Sequence, residues 1–375
     1  MQIPVKEACN LIFYPHPASY ERERDRNFQG CPTIAVTSKG RIFLGWYSGG
    51  FMEPHMDNYN LVISSEDGGK TWSDPILLIP SDKERLIHAL DIQLWIDPLG
   101  RLWVFWVEER VRKSLHPQDG LVVDGYSFTL DKLHGMWGIC CENPDAQVLE
   151  WSAPKRLDDG FLRCRPTVLK NGSWFFCNYD QTTDHYGYSI TWDQGKTFQR
   201  YYGAEKIPTP FDEAMVVEKK EGTLWMMART FGGHIAQAFS QDGGVSWSET
   251  TPSAFPNPST RFYFGRTPSG NLLLVNNQHE QHRTALTALL SQDEGVTWHS
   301  LLIDNRMDIS YPDVDYYDGK IYLTYDFERT KGKEIILCVL KEEDILRQQT
   351  PSLSIISKPD RPQGTEHQGY PLILK

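Results

Sequence analysis

Charged and hydroxyl side chains recur just before and just after six apolar, aromatic-rich stretches of this chain. Before the stretches stand His88, Asp91, Gln93, Arg163, Arg165, Asp212, Glu213, Arg261, Tyr311 and Asp313. After them stand Glu53, His55, Asp57, Glu108, Asp180, Arg229, His279, Asp326 and Arg329. Carboxylates interleaved with arginines suit a polar or anionic ligand such as a sugar acid. A charge beside an apolar strand is costly unless it is paired, so Arg229 after WMMA, Arg261 before FYF and Asp91 before IQLWI each call for a partner or a ligand. A tyrosine is a weak nucleophile with an intrinsic pKa near ~10, and it needs a base such as Glu213 beside it. Proton abstraction beside a uronate would instead need a histidine or tyrosine and a neutralising arginine. His88, His55, Tyr311, Arg165 and Arg229 could supply these. His279, in NNQHEQHR, reads as a loop histidine as readily as a catalyst, and Asp326 can simply pair with Arg329.

The elements that must position these residues are legible as a repeat. CPTIAVTSKGRIFLGWYS, DIQLWIDPLGRLWVFWVE, RPTVLKNGSWFFCNYD, DEAMVVEKKEGTLWMMAR, TRFYFGRTPSGNLLLVNN and YPDVDYYDGKIYLTYDFER each read as a strand, a glycine turn and a second strand. The turn glycines are Gly40, Gly100, Gly172, Gly222, Gly270 and Gly319, in steps of 60, 72, 50, 48 and 49 residues. A hairpin repeat with a period near fifty predicts an all-β fold, a six-bladed β-propeller with almost no helix. Paired antiparallel strands put the start of the first and the end of the second on the same face. That face gathers the residues named above.

A second repeat runs out of phase with the first. Ser65–Trp72 (SEDGGKTW), Ser240–Trp247 (SQDGGVSW) and Ser291–Trp298 (SQDEGVTW) fit S-x-D-x-G-x-T-W, and Thr191–Phe198 (TWDQGKTF) is a near copy. The pattern predicts a tight turn in which Asp bonds the amides ahead of it and Gly takes a positive φ. A fifth, eroded copy is expected at Glu142–Trp151.

The whole chain, 1–375, is expected to form one domain, with blades over about 30–345 and an irregular tail at 350–375. Net charge is −11 and there is no basic run, which argues against a nucleic-acid partner. No apolar stretch approaches the ~20 residues of a membrane helix. MQIPVKEACNLIFYPHPASY does not read as a signal peptide, and the seven cysteines lack metal-like spacing. A cytoplasmic protein with reduced thiols fits these features, and a mature secreted form stays open. Neither a metal nor a cofactor is called for, and oligomeric state is not legible. Asn10–Tyr14 is expected to close the last blade, and Lys341–Gln349 to form a short helix. The excess at 108–135 is expected to form a flap over the axial face, which would favour exo action.

The turn motif inside a six-fold repeat resembles the sialidase superfamily, the neuraminidase-like BNR or Asp-box propellers, over nearly the whole chain. The resemblance implies three arginines on a substrate carboxylate, a tyrosine nucleophile with a glutamate beside it, and an aspartate acid/base. Carried over, Glu213 in FDEAMVVE matches the glutamate and Tyr311 in SYPDV the tyrosine. Arg229 and Arg261 look like the second and third arginines. Asp57 lies in the acid's region, with Glu53 as its rival. The family's Arg-Ile-Pro in the first blade is here Gly30-Cys31-Pro32, so the first arginine is missing and poor activity on sialosides is expected; Arg165 offers an arginine from another direction. Catalytic roles thus fall to Tyr311, Glu213, Asp57, His88 and Asp91, and substrate binding to Arg163, Arg165, Arg229, Arg261, Asp313 and His279. The implied function is an exo-acting glycoside hydrolase that cleaves a terminal sugar from an acidic or deoxy-sugar oligosaccharide. The alternatives are a lyase acting beside a uronic acid and a non-catalytic glycan-binding propeller.

Overall fold

A computed structural model describes residues 7–17, 20, 22–128, 134–209, 211–362, 364–365 and 367–374. Each turn glycine sits between the first and second strands of a sheet, with φ between +69° and +97°, a region open to glycine at little cost. Five of the six donate their N–H at 2.9 Å to the carbonyl three residues back. The turn chemistry is therefore the same in sheet after sheet, and it sets the register of the hairpins.

Six antiparallel sheets of four or five strands result. Their first and second strands are Gln29–Val36 with Ile42–Gly49, Ile87–Ile96 with Leu102–Arg110, Thr167–Val168 with Trp174–Phe176, Met215–Glu218 with Leu224–Ala228, Tyr263–Arg266 with Leu272–Asn277, and Ile309–Tyr317 with Lys320–Phe327. The first strand of sheet one packs against those of sheets two and six, that of sheet three against sheet four, four against five, and five against six. Phe161–Leu162, which pairs with Asn178–Tyr179, links sheet three to sheet two. Apolar side chains fill the space between neighbouring sheets. Trp225, Phe264, Leu274, Val314 and Leu323, for example, belong to one cluster spanning sheets four to six.

The S-x-D-x-G-x-T-W turns join third to fourth strands. In the one at Ser65, Asp67 accepts from the Lys70 and Thr71 amides at 3.0 and 2.9 Å and from the Thr71 hydroxyl at 2.6 Å, while the Trp72 indole donates to the Gly69 carbonyl. Asp193 makes the same set of bonds, Asp242 and Asp293 accept from the amide and hydroxyl four residues ahead, and the hydroxyls of Thr197, Ser246 and Thr297 lead in holding the three carboxyls at about 2.

Three expectations are corrected. The N-terminal segment does not complete the last sheet. Ile12–Phe13 pairs with Leu77–Pro80 at the outer edge of sheet one, because sheet six draws its fourth strand from the tail. That strand is Ser352–Ser357, bonded to Glu334–Leu340; Leu353, Ile355 and Ile356 are buried, so the tail is ordered by apolar burial despite its prolines. Glu142–Trp151 occupies the expected turn position but bonds differently, its Asp145 accepting from the Thr37 hydroxyl at 2.6 Å. The expected helix is present as Glu342–Arg347. In the 108–135 excess, Arg112–Lys113, Val122–Val123 and Tyr126–Ser127 form a small sheet, and residues 129–133 lie outside the described residues. Val111, Val123 and Phe128 pack on Met52 and Met56, and His55 pairs with Asp124 at 2.8 Å. The excess therefore braces the loop that carries Glu53.

Candidate active site

The register fixed by the turns has a consequence at the other end of the first strands. Nine residues before the turn glycine stand Cys31, Asp91, Arg163, Glu213 and Arg261, and eight before Gly319 stands Tyr311. Four of these six, Cys31, Asp91, Glu213 and Tyr311, have φ of +56°, +50°, +38° and +57°. Three of the four sit in register shifts of the sheet, between Gly30 and Thr33, Leu90 and Gln93, and Ser310 and Asp313. Such a conformation is strained for a residue with a side chain, and a bulge re-aims the side chain it carries. One bulge in each of these strands turns a polar group toward a shared centre.

At that centre the Tyr311 hydroxyl donates to Glu213 Oε1 at 2.8 Å. Arg229 Nη1 lies 2.8 Å from Glu213 Oε2 and 3.0 Å from Tyr311 Oη. Tyr311 and Glu213 are 3% and 1% exposed. Burial alone would raise the Glu213 carboxyl; Arg229 and Arg163 outweigh it and hold the group at about 2. Burial, then the Glu213 charge, pushes the Tyr311 phenol above its ordinary value. The shared proton therefore rests on the tyrosine.

Four further guanidiniums surround the Tyr311 ring. Those of Arg163, Arg261, Arg283 and Arg329 lie 5.3, 5.0, 5.6 and 4.1 Å from its centroid. Arg163 pairs with Asp91 and, at 3.2 Å, with Glu53. Arg329 reaches Glu53 Oε2 at 3.2 Å and Asp326 Oδ2 at 2.9 Å. Against burial, Arg163 and Arg329 together lower the Glu53 carboxyl. Arg283 is different. Its contacts are a serine hydroxyl at 3.4 Å and a carbonyl at 3.5 Å, and among the described residues it forms no ion pair. Burial, then the like charge of Arg329, lowers its pKa, with Arg229 adding to the effect. An unpaired guanidinium facing two others is a place for an anion. Cys31, Glu53 and Asp91 bring three donor atoms within 4.8 Å of one another, but the cation paired with both carboxylates is Arg163, and burial pushes the Cys31 thiol up to about 11. This donor set does not favour a metal.

Of the residues singled out from sequence, Tyr311, Glu213, Arg229, Arg163 and Asp91 are brought together. Arg261 touches the group from beneath, spending its donors on the carbonyls of Arg163, Pro32 and Tyr311 at 2.8–3.0 Å. Arg165 and Asp313 lie one layer deeper, two residues further along their strands. Arg165 bonds Asp315 and the Ile34 carbonyl, and Asp313 accepts from Thr33, Ile34 and Gln93. His88 is fully buried, with Nε2 2.7 Å from Tyr47 Oη and Nδ1 2.7 Å from Glu109. Asp57 pairs with Lys83 and His55, so the structure puts its rival Glu53 in the cluster instead. His279 accepts from the amides of Gln281 and His282 within its own loop. Arg283 was missed; the signal that could have found it is its place three residues before Leu286–Ser291, at the end of the loop that follows the second strand of sheet five.

Residues 133–323, about half of the chain, match the BNR repeat-like domain family. No curated protein matches in sequence. Among solved structures, a Hadza microbial sialidase is 18% identical with a TM-score of 0.65, over 84% of this chain and 66% of that one. This chain therefore spans slightly less than two thirds of that sialidase. A leech intramolecular trans-sialidase, solved with 2,7-anhydro-Neu5Ac, is 14% identical with a TM-score of 0.63, over 87% and 68%. A Dyadobacter fermentans protein of unknown function is 17% identical with a TM-score of 0.62, over 83% and 93%. At these identities the likeness is one of fold. The chain thus belongs to the BNR repeat-like domain family and shares its all-β fold with sialidases.

Proposed function

We propose that the six sheets are the blades of one propeller domain and that the chain is a glycan-active hydrolase removing a terminal acidic sugar. The observation that carries this reading is the Tyr311–Glu213–Arg229 contact beside the unpaired Arg283. A carboxylate nucleophile would be repelled by a substrate carboxylate next to the reacting carbon, whereas a neutral phenol is not. In the proposed step the Tyr311 oxygen bonds the anomeric carbon as the glycosidic C–O bond breaks. The phenolic proton passes to Glu213, which becomes the stronger base once the phenol oxygen is bonded to carbon. The leaving oxygen takes a proton from Glu53. Glu53 takes up that proton from solvent when a substrate carboxylate engages Arg329 and adds its own negative charge beside Glu53, which offsets the hold of Arg163 and Arg329. Water then cleaves the glycosyl-tyrosine, so one water is consumed in total. Elimination beside a uronate is less well supported, since both ring nitrogens of His88 are engaged in a buried chain.

The test is a panel of aryl glycosides of acidic and neutral sugars, with products read by mass and ultraviolet absorbance. The expected result is release of an acidic sugar with one water gained and no unsaturated product, lost in Tyr311→Phe. An unsaturated uronate product, or an undiminished rate in Tyr311→Phe, would overturn the reading.

A further inference from the structure

Gly30 has an ordinary strand conformation, paired with Tyr47, so its backbone does not require a glycine. The space around it does. A Cβ at position 30 would lie 2.7 Å from Arg329 Cδ and 2.8 Å from its Cγ and Nε. These are atoms in the middle of the side chain, and they cannot swing aside while the guanidinium stays in place. The guanidinium is pinned. It stacks on Tyr311 at 4.1 Å and donates to Asp326, Glu53 and Ser310. Asp326 in turn accepts from the Cys31 amide at 2.7 Å and the Ser310 hydroxyl at 2.6 Å, which ties Arg329 to the bulge next to Gly30.

We propose that Arg329, reaching across from sheet six, is the substrate-reading cation that sheet one lacks, and that Gly30 is glycine to admit it. This rests on the reading that the substrate is anionic, and it names how that anion is held. Arg329 and Arg283 both reach the Ser310 hydroxyl, and Arg283 and Arg229 both reach Ser259, so cations from sheets six, five and four meet beside Tyr311. A guanidinium has more N–H bonds than the three acceptors of Arg329 use, which leaves donors for a carboxylate. Two like charges, Arg283 and Arg329, placed together around one ring are relieved when that carboxylate arrives. The absence of an arginine at position 30 therefore does not remove a cation from the site; it relocates one, and with it the link to Glu53. Activity on carboxylate sugars, sialosides included, is the consequence, against the expectation drawn from position 30 alone.

The test compares binding of N-acetylneuraminate and glucuronate with their methyl esters, by calorimetry, in four proteins: the unaltered chain, Arg329→Met, Gly30→Ala and the exchange Gly30→Arg/Arg329→Gly. The unaltered protein should prefer at least one acid over its ester by about tenfold or more, the order of one charge-assisted contact. Arg329→Met should abolish most of that preference. Gly30→Ala, which removes no charge, should do the same by displacing Arg329, and the exchange should restore part of it. An acid preference that survives in both folded single variants overturns the role of Arg329 while leaving the anionic-substrate reading intact. Absence of any acid preference in the unaltered protein overturns that reading itself, and the role of Arg329 with it.

Discussion

Two layers of the same strands, two residues apart, use the same residue types to opposite ends. The deeper layer holds Thr33, Gln93, Arg165 and Asp313. Its charges face each other: Arg165 bonds Asp315 and stands 3.8 Å from Asp313, which accepts from three donors drawn from sheets one and two. The outer layer holds Asp91, Arg163, Glu213 and Tyr311, all but Arg163 at positive φ, and beside it Arg283 has no carboxylate partner among the described residues. The paired charges of the deeper layer specify packing, whereas a cation left without its anion specifies a ligand. Burial and charge alone do not separate Arg165 from Arg283; the carboxylate that each does or does not already face does.

The comparison can be broken most severely at the outer layer. Tyr311→Phe should lower turnover of the best acidic substrate about a thousandfold or more, with little change in the unfolding midpoint, because only one hydroxyl is removed. A loss of stability with activity retained would make Tyr311 a packing residue. In the deeper layer, Arg165→Met should leave Asp315 and Asp313 short of their cation and cost about 3–5 kcal/mol in denaturant unfolding, without altering acid preference in the fraction that stays folded. An unchanged midpoint would contradict its structural assignment.

Glu108 sharpens the contrast through pH. Like Glu213 it is fully buried, but its bonds are neutral: it accepts from the Cys9 amide and the Trp106 indole. Burial therefore prevails and pushes it up to about 7, whereas arginines hold Glu213 at about 2. Between pH ~4.5 and 7 the folded state keeps a proton on Glu108 that the unfolded state has released, so stability falls as pH rises through that window. Glu108→Gln should flatten this decline, by a few kcal/mol at most. For Glu213 the sign is reversed: its contribution is present above the usual carboxylate range and is lost only as pH falls toward 2. A stability–pH curve identical in Glu108→Gln and the unaltered protein would remove Glu108 from this account. The smallest effect belongs to the exposed turns. Asp293→Ala should lower the unfolding midpoint slightly and leave activity unchanged, since its bonds stay within residues 291–297.

What was legible in the sequence follows the range of the interactions. The turn glycines and the S-x-D-x-G-x-T-W turns are local devices, and the spacing that announces them also builds them. The offset from turn glycine to bulge is equally local, and it places Asp91, Arg163, Glu213 and Tyr311 in one layer. Arg165 and Asp313 were grouped with them because a two-residue step along a strand keeps the same face, so the two layers look alike until depth is known. Arg283 and Glu53 sit on loops after second strands, whose reach depends on the neighbouring sheet. The role of Arg329 was hidden because the space it fills belongs to Gly30, 299 positions earlier in the chain. The tail strand was masked by its prolines, although Leu353 and Ile355 alternate as a half-buried strand should.

The most direct measurement pairs Arg283→Met with Arg165→Met and records, for each, the unfolding midpoint and the affinity for an acidic sugar relative to its methyl ester. Removing an unpaired cation should leave stability unchanged or raised and abolish the acid preference in Arg283→Met, while Arg165→Met should lower the midpoint by several degrees and keep the preference. A destabilised Arg283→Met that still prefers the acid, beside an unperturbed Arg165→Met, would contradict the division between the two layers.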